Sequence, residues 1–436
     1  MTKDRILEII ELVKKEVKPA LGCTEPIAES LAVASACETL REKGFEVDHL
    51  TVAVSGNILK NGMGVGIPGT GMVGLHIAAA LAVFCGKSEY GLEVLKDLNK
   101  KSIVAAKDMV DAGKVKIVLA DDPAKLYIEA FAYSADDKNV ATTTIKDNHD
   151  SIISVKFNGE ELLGGKEEGP AQEAEHEKTT LDYHLTVKEI LEFVETADLE
   201  DIRFIMEARK LNRHLSDEGL TNDYGLRVGK TLMASAQKNV FGSSIASYAM
   251  ARTAAAADAR MAGCTLPAMS NSGSGNQGIT VTMPVVAVAE KLNSDEETLN
   301  RALMLSHLIA IHIKGYLGKL SALCGCVVAS TGSSCGIVYL NGGRYPEICS
   351  AIKNMFGNIS GMFCDGAKVG CALKVATGVE CSVQSATLAL NDICISSNDG
   401  IIEDDIEKTI SNIGTLGSKG MSNTDKMILD IMINKK

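Results

Sequence analysis

Three long stretches of this chain carry no Asp, Glu, Lys or Arg: residues 61–86, 261–289 and 320–343. Long uncharged segments rich in apolar residues suit burial, in a membrane or in a protein core. Each is long enough to cross a bilayer by length alone. Each is also crowded with Gly, Ser, Thr, Asn or Pro, and charged amphipathic helices surround them. The reading is therefore core helices with their loops, ahead of a transporter built from broken helices. With 40 Gly, 16 Met, no Trp and 4% aromatics, that core must be made of small and aliphatic residues, which suits closely packed helices.

At ~150 residues per domain, 436 residues suggest two or three domains. A net charge of −12 argues against nucleic acid or an anionic membrane as partner. The N-terminus, MTKDRILEIIELVKKE, reads as an amphipathic helix and not a signal peptide. The expected location is the cytoplasm. Thiols stay reduced there, so the 12 Cys suit metal binding, catalysis or burial better than disulfides.

Helical periodicity over 3–17 puts Ile6, Ile9, Ile10 and Val13 on one face. After a break at 18–22, a second helix is expected from Cys23-Thr24-Glu25-Pro26 to about Lys43, with Thr24 as N-cap. Residues 50–55 read as a strand, 64–71 (GVGIPGTG) as a glycine loop and 72–85 as a small-residue helix. The β-branched, alternating run over 114–160 predicts an antiparallel sheet with hairpin connections. Residues 164–180 are polar and read as a linker or exposed loop, and the chain is helical from about 186 onward.

The chemistry concentrates in a few motifs. SALCGCVVASTGSSCG and GMFCDGAKVGC place Cys324, Cys326, Cys335, Cys364 and Cys371 within one half of the chain. Their spacing matches neither a zinc ribbon nor a bacterial ferredoxin, and buried Cys is common. The turn-prone 361–371 loop is the exception, because packing explains two Cys among Gly, Asp and Lys poorly. Three thiolates on loops could hold a [4Fe–4S] cluster and leave one iron open as a Lewis acid. Cys23 stands at a helix start, where free N–H groups favour a thiolate, with Glu25 opposing. SNSGSGNQG at 270–278 is the sharpest anion-binding signal, with converging backbone N–H groups and Ser and Asn donors for a carboxylate or phosphate. His307, His312, Lys314 and Lys319 read as ordinary helix positions, with a role for His312 or Lys314 near the cysteines the alternative.

PALGCTEPIA, KNGMGVGIPGTGM, SNSGSGNQGI, LSALCGC, GNISGMFCDGAKVGCALKV and IGTLGSKGMSNTDKMILDIM, in this order along nearly the whole chain, resemble the L-cysteine desulfidase family. That family is related to the α-chain of iron–sulfur L-serine dehydratases. The resemblance implies a [4Fe–4S] enzyme, free of pyridoxal phosphate, that turns L-cysteine and water into pyruvate, ammonia and hydrogen sulfide. It implies Cys364 and Cys371 as cluster ligands with one Cys of LCGC, taken as Cys324 with Cys326 the adjacent alternative. It implies Cys23 as the base that removes the Cα proton. Ser272, Gly273, Ser274, Gly275, Asn276 and Gln277, with Asn61 of KNGMG, are then expected to bind substrate. Competing readings are dehydration of L-serine or another β-elimination on the same cluster, a pyridoxal-phosphate lyase with Lys60 as Schiff base, and a cluster scaffold without turnover.

The expectation is an α+β chain. Residues 1–50 supply N-terminal helices packing on the catalytic domain, 51–165 an α/β domain with an antiparallel sheet, and 186–436 a helical cluster domain. Cys23 would have to reach that cluster. L-cysteine is the expected partner, without nucleic acid or membrane, and a homo-oligomer stays open.

Overall fold

The computed structural model describes residues 1–164, 184–236, 242–318 and 321–435. Apart from Gly164, the polar 164–180 segment lies outside them, as do Lys319 and Leu320. The chain opens with α1 (Lys3–Glu16), the short strand β1 (Pro19–Ala20) and α2 (Thr24–Glu42). Next come β2 (His49–Val54), α3 (Gly56–Gly62), α4 (Leu75–Cys85) and α5 (Lys100–Asp111). The strands β3 (Val115–Leu119), β4 (Tyr127–Tyr133), β5 (Val140–Lys146), β6 (Ile152–Phe157) and β7 (Glu160–Leu163) follow. Then come α6 (Val187–Thr196), α7 (Leu199–Ile202), α8 (Met206–Thr221), α9 (Val228–Ala236), α10 (Ile245–Met261), β8 (Ala268–Met269) and α11 (Gly275–Leu292). The last helices are α12 (Glu296–Leu317), α13 (Gly325–Leu340), α14 (Tyr345–Ile359), α15 (Cys371–Ala389), α16 (Ile406–Thr415) and α17 (Ser422–Ile433). The class is α+β, as expected.

The chain divides into two compact units. The helical unit holds Met1–Gly22, the described part of 176–364 and Val369–Met427. The sheet unit holds Cys23 to the end of β7, Asp365–Lys368 and the C-terminal residues from Ile428. The reading of 1–50 as one helical element divides accordingly: α1 belongs to the helical unit, whereas α2 lies against α4 and the sheet.

In the sheet unit six strands run in the order β3-β2-β4-β5-β6-β7. Pairs from β2–β4 through β6–β7 are antiparallel, as alternation predicted. The edge strand β3 is the correction, because it pairs with β2 in parallel. The chain leaves β2 and returns through α3, α4 and α5, and such a helical crossover permits parallel pairing. Leu50, Val52 and Val54 of β2 point into a core with Ala28, Leu31 and Ala32 of α2 and Ile77 and Leu81 of α4. The N-cap of α2 is Cys23 and not Thr24, which is the first helical residue.

The helical unit explains two of the three uncharged stretches, the first being part of the sheet unit around α4. Residues 261–289 become a turn and most of α11, and 325–340 become α13, both almost wholly buried. Glycines there meet backbone: a Cβ on Gly332 would fall against the Ser306 carbonyl of α12, and on Gly219 or Gly229 against Ala255 of α10. Helix axes approach closely only because those positions lack side chains. No described helix is long and apolar enough to cross a membrane.

Candidate active site

The anion-binding loop is built by a turn. Ser272 (φ 48°) and Gly273 (φ 77°) are left-handed. Asn271 and Ser274 exchange both backbone hydrogen bonds around them, at 3.1 and 3.0 Å. That is the pattern of a tight two-residue hairpin turn. Ser274 then caps α11, its hydroxyl accepting from the Gln277 N–H at 3.3 Å. The segment after SGSGNQG, helical or extended by sequence, is this helix. The turn is anchored by the N-terminal segment. Pro19–Ala20 pairs with Ala268–Met269, and the Ser270 and Ser272 N–H groups donate to the Lys18 and Glu16 carbonyls at 2.8 and 2.9 Å.

Each glycine of the loop has its own reason. Gly273 supplies the turn. Gly278 lets α11 approach the Met269 carbonyl, and Gly275 leaves room for the guanidinium of Arg260. Arg260, on α10, is only 8% exposed. It donates to the Gly22 carbonyl at 2.8 Å and to Asn276 Oδ1 at 3.2 Å. A buried cation thus lies against the start of a helix that already favours negative charge. Nothing in the spacing of DARMAGC marks Arg260.

Beneath the loop lies a buried polar chain. Gln277 Nε2 donates to Asn271 Oδ1 (2.8 Å). Asn271 Nδ2 meets both the carbonyl oxygen (3.2 Å) and Nδ1 (3.1 Å) of His307. His307 Nε2 meets the Thr282 hydroxyl (3.1 Å), which donates to the Gly278 carbonyl (2.7 Å). Burial pulls His307 down to about 3, so its imidazole is neutral and joins as one donor and one acceptor. The expectation of an ordinary helix position missed this role. His312 does hold a structural place, bonded to Glu407 at 2.7 Å.

The cysteine motifs come together beside this network. The Cys324 N–H donates to the Met362 carbonyl (2.9 Å), and the Cys364 N–H to the Ala322 carbonyl (2.6 Å). A bridge between Leu323 and Phe363 completes a short antiparallel ladder. Ser321 steadies it, donating to the Gly417 carbonyl (2.6 Å) and accepting from the Leu323 N–H (3.0 Å). Gly417 belongs to the IGTLGSKG motif, whose residues 416–420 form a π-helical turn. Lys374 holds the ladder from α15, donating to the Phe363 carbonyl at 2.8 Å.

Cys324 is the N-cap of α13 and Cys371 the first residue of α15, two helices packed side by side. Cys324, Cys364 and Cys371 are each partly exposed. Burial, with the neighbouring thiols of Cys326, Cys364 and Cys371, pushes the Cys324 thiol well above its ordinary range. Cys326 differs: it is buried and its thiol donates to the Lys374 carbonyl at 3.1 Å.

Among the described residues, no three His, Cys, Asp or Glu side chains converge as a single metal ion requires. A cluster imposes a different demand. Each of its thiolates binds its own iron, so the ligands surround a volume and do not converge on a point. Three partly exposed thiols on a ladder and two helix starts fit such a group.

Two predicted residues belong to the sheet unit. Cys23, 6% exposed, begins α2, and Asn61 lies half-buried in α3. The residues between the last two motif cysteines also visit that unit. Gly366 (φ 90°) lies on the Lys60 carbonyl, where a Cβ would collide, and Lys368 pairs with Asp365 at 2.6 Å.

Residues 89–430 match the family described as serine dehydratase alpha chain. The chain belongs to that family. It is an iron–sulfur serine dehydratase-like protein of lyase type. Ser272–Gln277 and the motif cysteines fall within the matched residues, whereas Cys23 and Asn61 precede them. The chain is also 48% identical to a UPF0597 protein of Bacteroides fragilis and 47% identical to one of Oleidesulfovibrio alaskensis, each over all of both chains. A UPF0597 protein of Shewanella pealeana is 46% identical over 98% of both chains.

Proposed function

We propose that this protein is a [4Fe–4S]-dependent L-cysteine desulfidase acting in a reducing cytoplasm. The observation that carries the reading is the grouping of Cys324, Cys364 and Cys371, with Cys326 engaged elsewhere. Those three would hold the cluster and leave one iron without a protein ligand. When bound, such a cluster supplies a soft Lewis acid suited to the sulfur of L-cysteine.

The chain's own residues do the rest. Within Ser272–Gln277, the N–H groups of Gly273, Gly275 and Asn276, which the loop's own hydrogen bonds do not use, hold the substrate carboxylate, backed by the Arg260 cation. Asn61 is assigned to substrate binding with them. Cys23, as thiolate at the start of α2, takes the Cα proton. The electron pair released forms the Cα–Cβ double bond as sulfide departs from Cβ. The aminoacrylate so formed tautomerises, and water releases pyruvate and ammonia.

The family description favours a second reading, in which hydroxide leaves from L-serine by the same steps. The test is anaerobic: reconstitute the cluster, then measure iron, acid-labile sulfide, and pyruvate from both amino acids in one sample. About four iron and four sulfide per chain, with pyruvate and sulfide from L-cysteine, support the desulfidase. Pyruvate from L-serine alone would replace it with the dehydratase, and absence of iron would remove both.

A further inference from the structure

The polar chain beneath the anion loop fixes one side chain in a definite orientation. The His307 backbone carbonyl can only accept, so the Asn271 group facing it at 3.2 Å is the amide nitrogen. Asn271 Oδ1 therefore faces the other way, where the Ser272 hydroxyl also donates to it at 3.0 Å. The group that Gln277 presents to that oxygen at 2.8 Å must then be its own Nε2. Gln277 Oε1 is left pointing away from the network.

Gln277 is only 2% exposed, and its Oε1 is buried without a hydrogen-bond partner. The oxygen lies 3.2 Å from where a Cβ on Gly325 would stand, and Gly325 is the residue after Cys324. A buried acceptor left unsatisfied is costly. Here it is held in place by a backbone-anchored relay, next to the residue that follows Cys324.

We propose that Gln277 Oε1 receives the α-ammonium group of the substrate, and so makes the site selective for α-amino acids over their desamino analogues. The proposal deepens the reading above and rests on substrate binding beside Cys324. An acceptor cannot hold the carboxylate, which leaves that group to the N–H donors and Arg260. The neutral His307 ring adds a second acceptor for Asn271 Nδ2 beside the His307 carbonyl.

The test uses cluster-loaded protein and the pair L-cysteine and 3-mercaptopropionate, which differ only in the amino group. In Gln277→Met, KM for L-cysteine should rise roughly 10- to 100-fold, the loss of a hydrogen bond to a charged group. Calorimetric binding of 3-mercaptopropionate should change less than about threefold, with iron content unaltered. Gly325→Ala leaves the relay in place but crowds the oxygen, and should weaken L-cysteine selectively by several-fold. It serves if Gln277→Met does not fold. Equal weakening of both ligands, or of neither, would overturn the proposal, as for an oxygen that only holds water. If wild-type protein forms no sulfide from L-cysteine, the desulfidase reading fails by itself. The same variants with L-serine and 3-hydroxypropionate then test Gln277 separately.

Discussion

The two units are built on opposite principles. In the sheet unit, side chains alternate along strands, and Leu50, Val52 and Val54 define a core face by period two. In the helical unit, Gly219, Gly229, Gly278 and Gly332 bring backbone against backbone, and burial runs all round α11 and α13. The difference bears on where chemistry can be assembled. Close helix packing holds polar side chains within fixed surroundings, so Gln277, Asn271 and His307 keep one arrangement. The candidate cluster thiols are grouped in this unit. The sheet unit holds Cys23 and Asn61, which lie outside the residues matched to the family.

The largest effects should separate cysteines that are near neighbours in sequence. Cys324→Ser, Cys364→Ser and Cys371→Ser should each lose most iron and labile sulfide on reconstitution, and activity with them. Cys326→Ser should retain both, because a hydroxyl can donate to the Lys374 carbonyl in place of the thiol. Loss of the cluster in Cys326→Ser, with retention in Cys324→Ser, would reverse the ligand assignment. Cys23→Ser makes the complementary test in the sheet unit. Its iron content should match wild type while kcat falls roughly 10²- to 10⁴-fold, the usual contribution of a general base. Full activity in that variant would remove Cys23 from the mechanism.

How much of this was legible follows the same division. Alternation revealed β2 to β6 and 3.6-residue periodicity revealed α1, because each signal is local. The SNSGSGNQG loop was also legible, since its turn and cap are set within a few residues. The parallel pairing of β3 was not, because it depends on a crossover through three helices. Nor could Thr24 be told from Cys23 as the cap of α2, since both precede Pro26 closely. Cys324 and Cys326 look alike in sequence. Their difference arises from Lys374, 48 residues further on, whose carbonyl engages Cys326. Arg260 and His307 gave no signal because their partners, among them Gly22, Asn271 and Thr282, lie far away in sequence.

Glycine substitutions sharpen the packing contrast. Gly278→Ala would place a methyl group on the Met269 carbonyl, and Gly332→Ala one on Ser306. Overpacking of this kind costs about 1–3 kcal/mol. Gly44, in the sheet unit, has open space around its Cβ position and a φ of 87°. Gly44→Ala should lose only the left-handed conformational term, about 1 kcal/mol. Urea midpoints compare the three, and an equal cost throughout would mean that backbone contact does not hold the helical unit together.

The pH dependence of local stability should carry opposite signs in the two units. His307, in the helical unit, is neutral with its pKa lowered to about 3 by burial. The unfolded chain takes up a proton near pH 6.5 that the folded site refuses, so stability is complete above that value and falls as pH drops toward 3. Between pH 6.5 and 5 the loss should reach about 2 kcal/mol, at 1.36 kcal/mol per pH unit. Glu29, in the sheet unit, is fully buried with both carboxylate oxygens unbonded, and burial raises its pKa well above the ordinary carboxylate range. Its stability is complete below the unfolded pKa and declines as pH rises through the folded one. Hydrogen exchange on α12 and on α2, measured from pH 5 to 8, reads the two slopes separately. His307→Asn should flatten the acid-side decline on α12 alone, and Glu29→Gln the alkaline-side decline on α2 alone. A common slope on both helices, altered equally by either variant, would show that the units open together and would dissolve the contrast drawn between them.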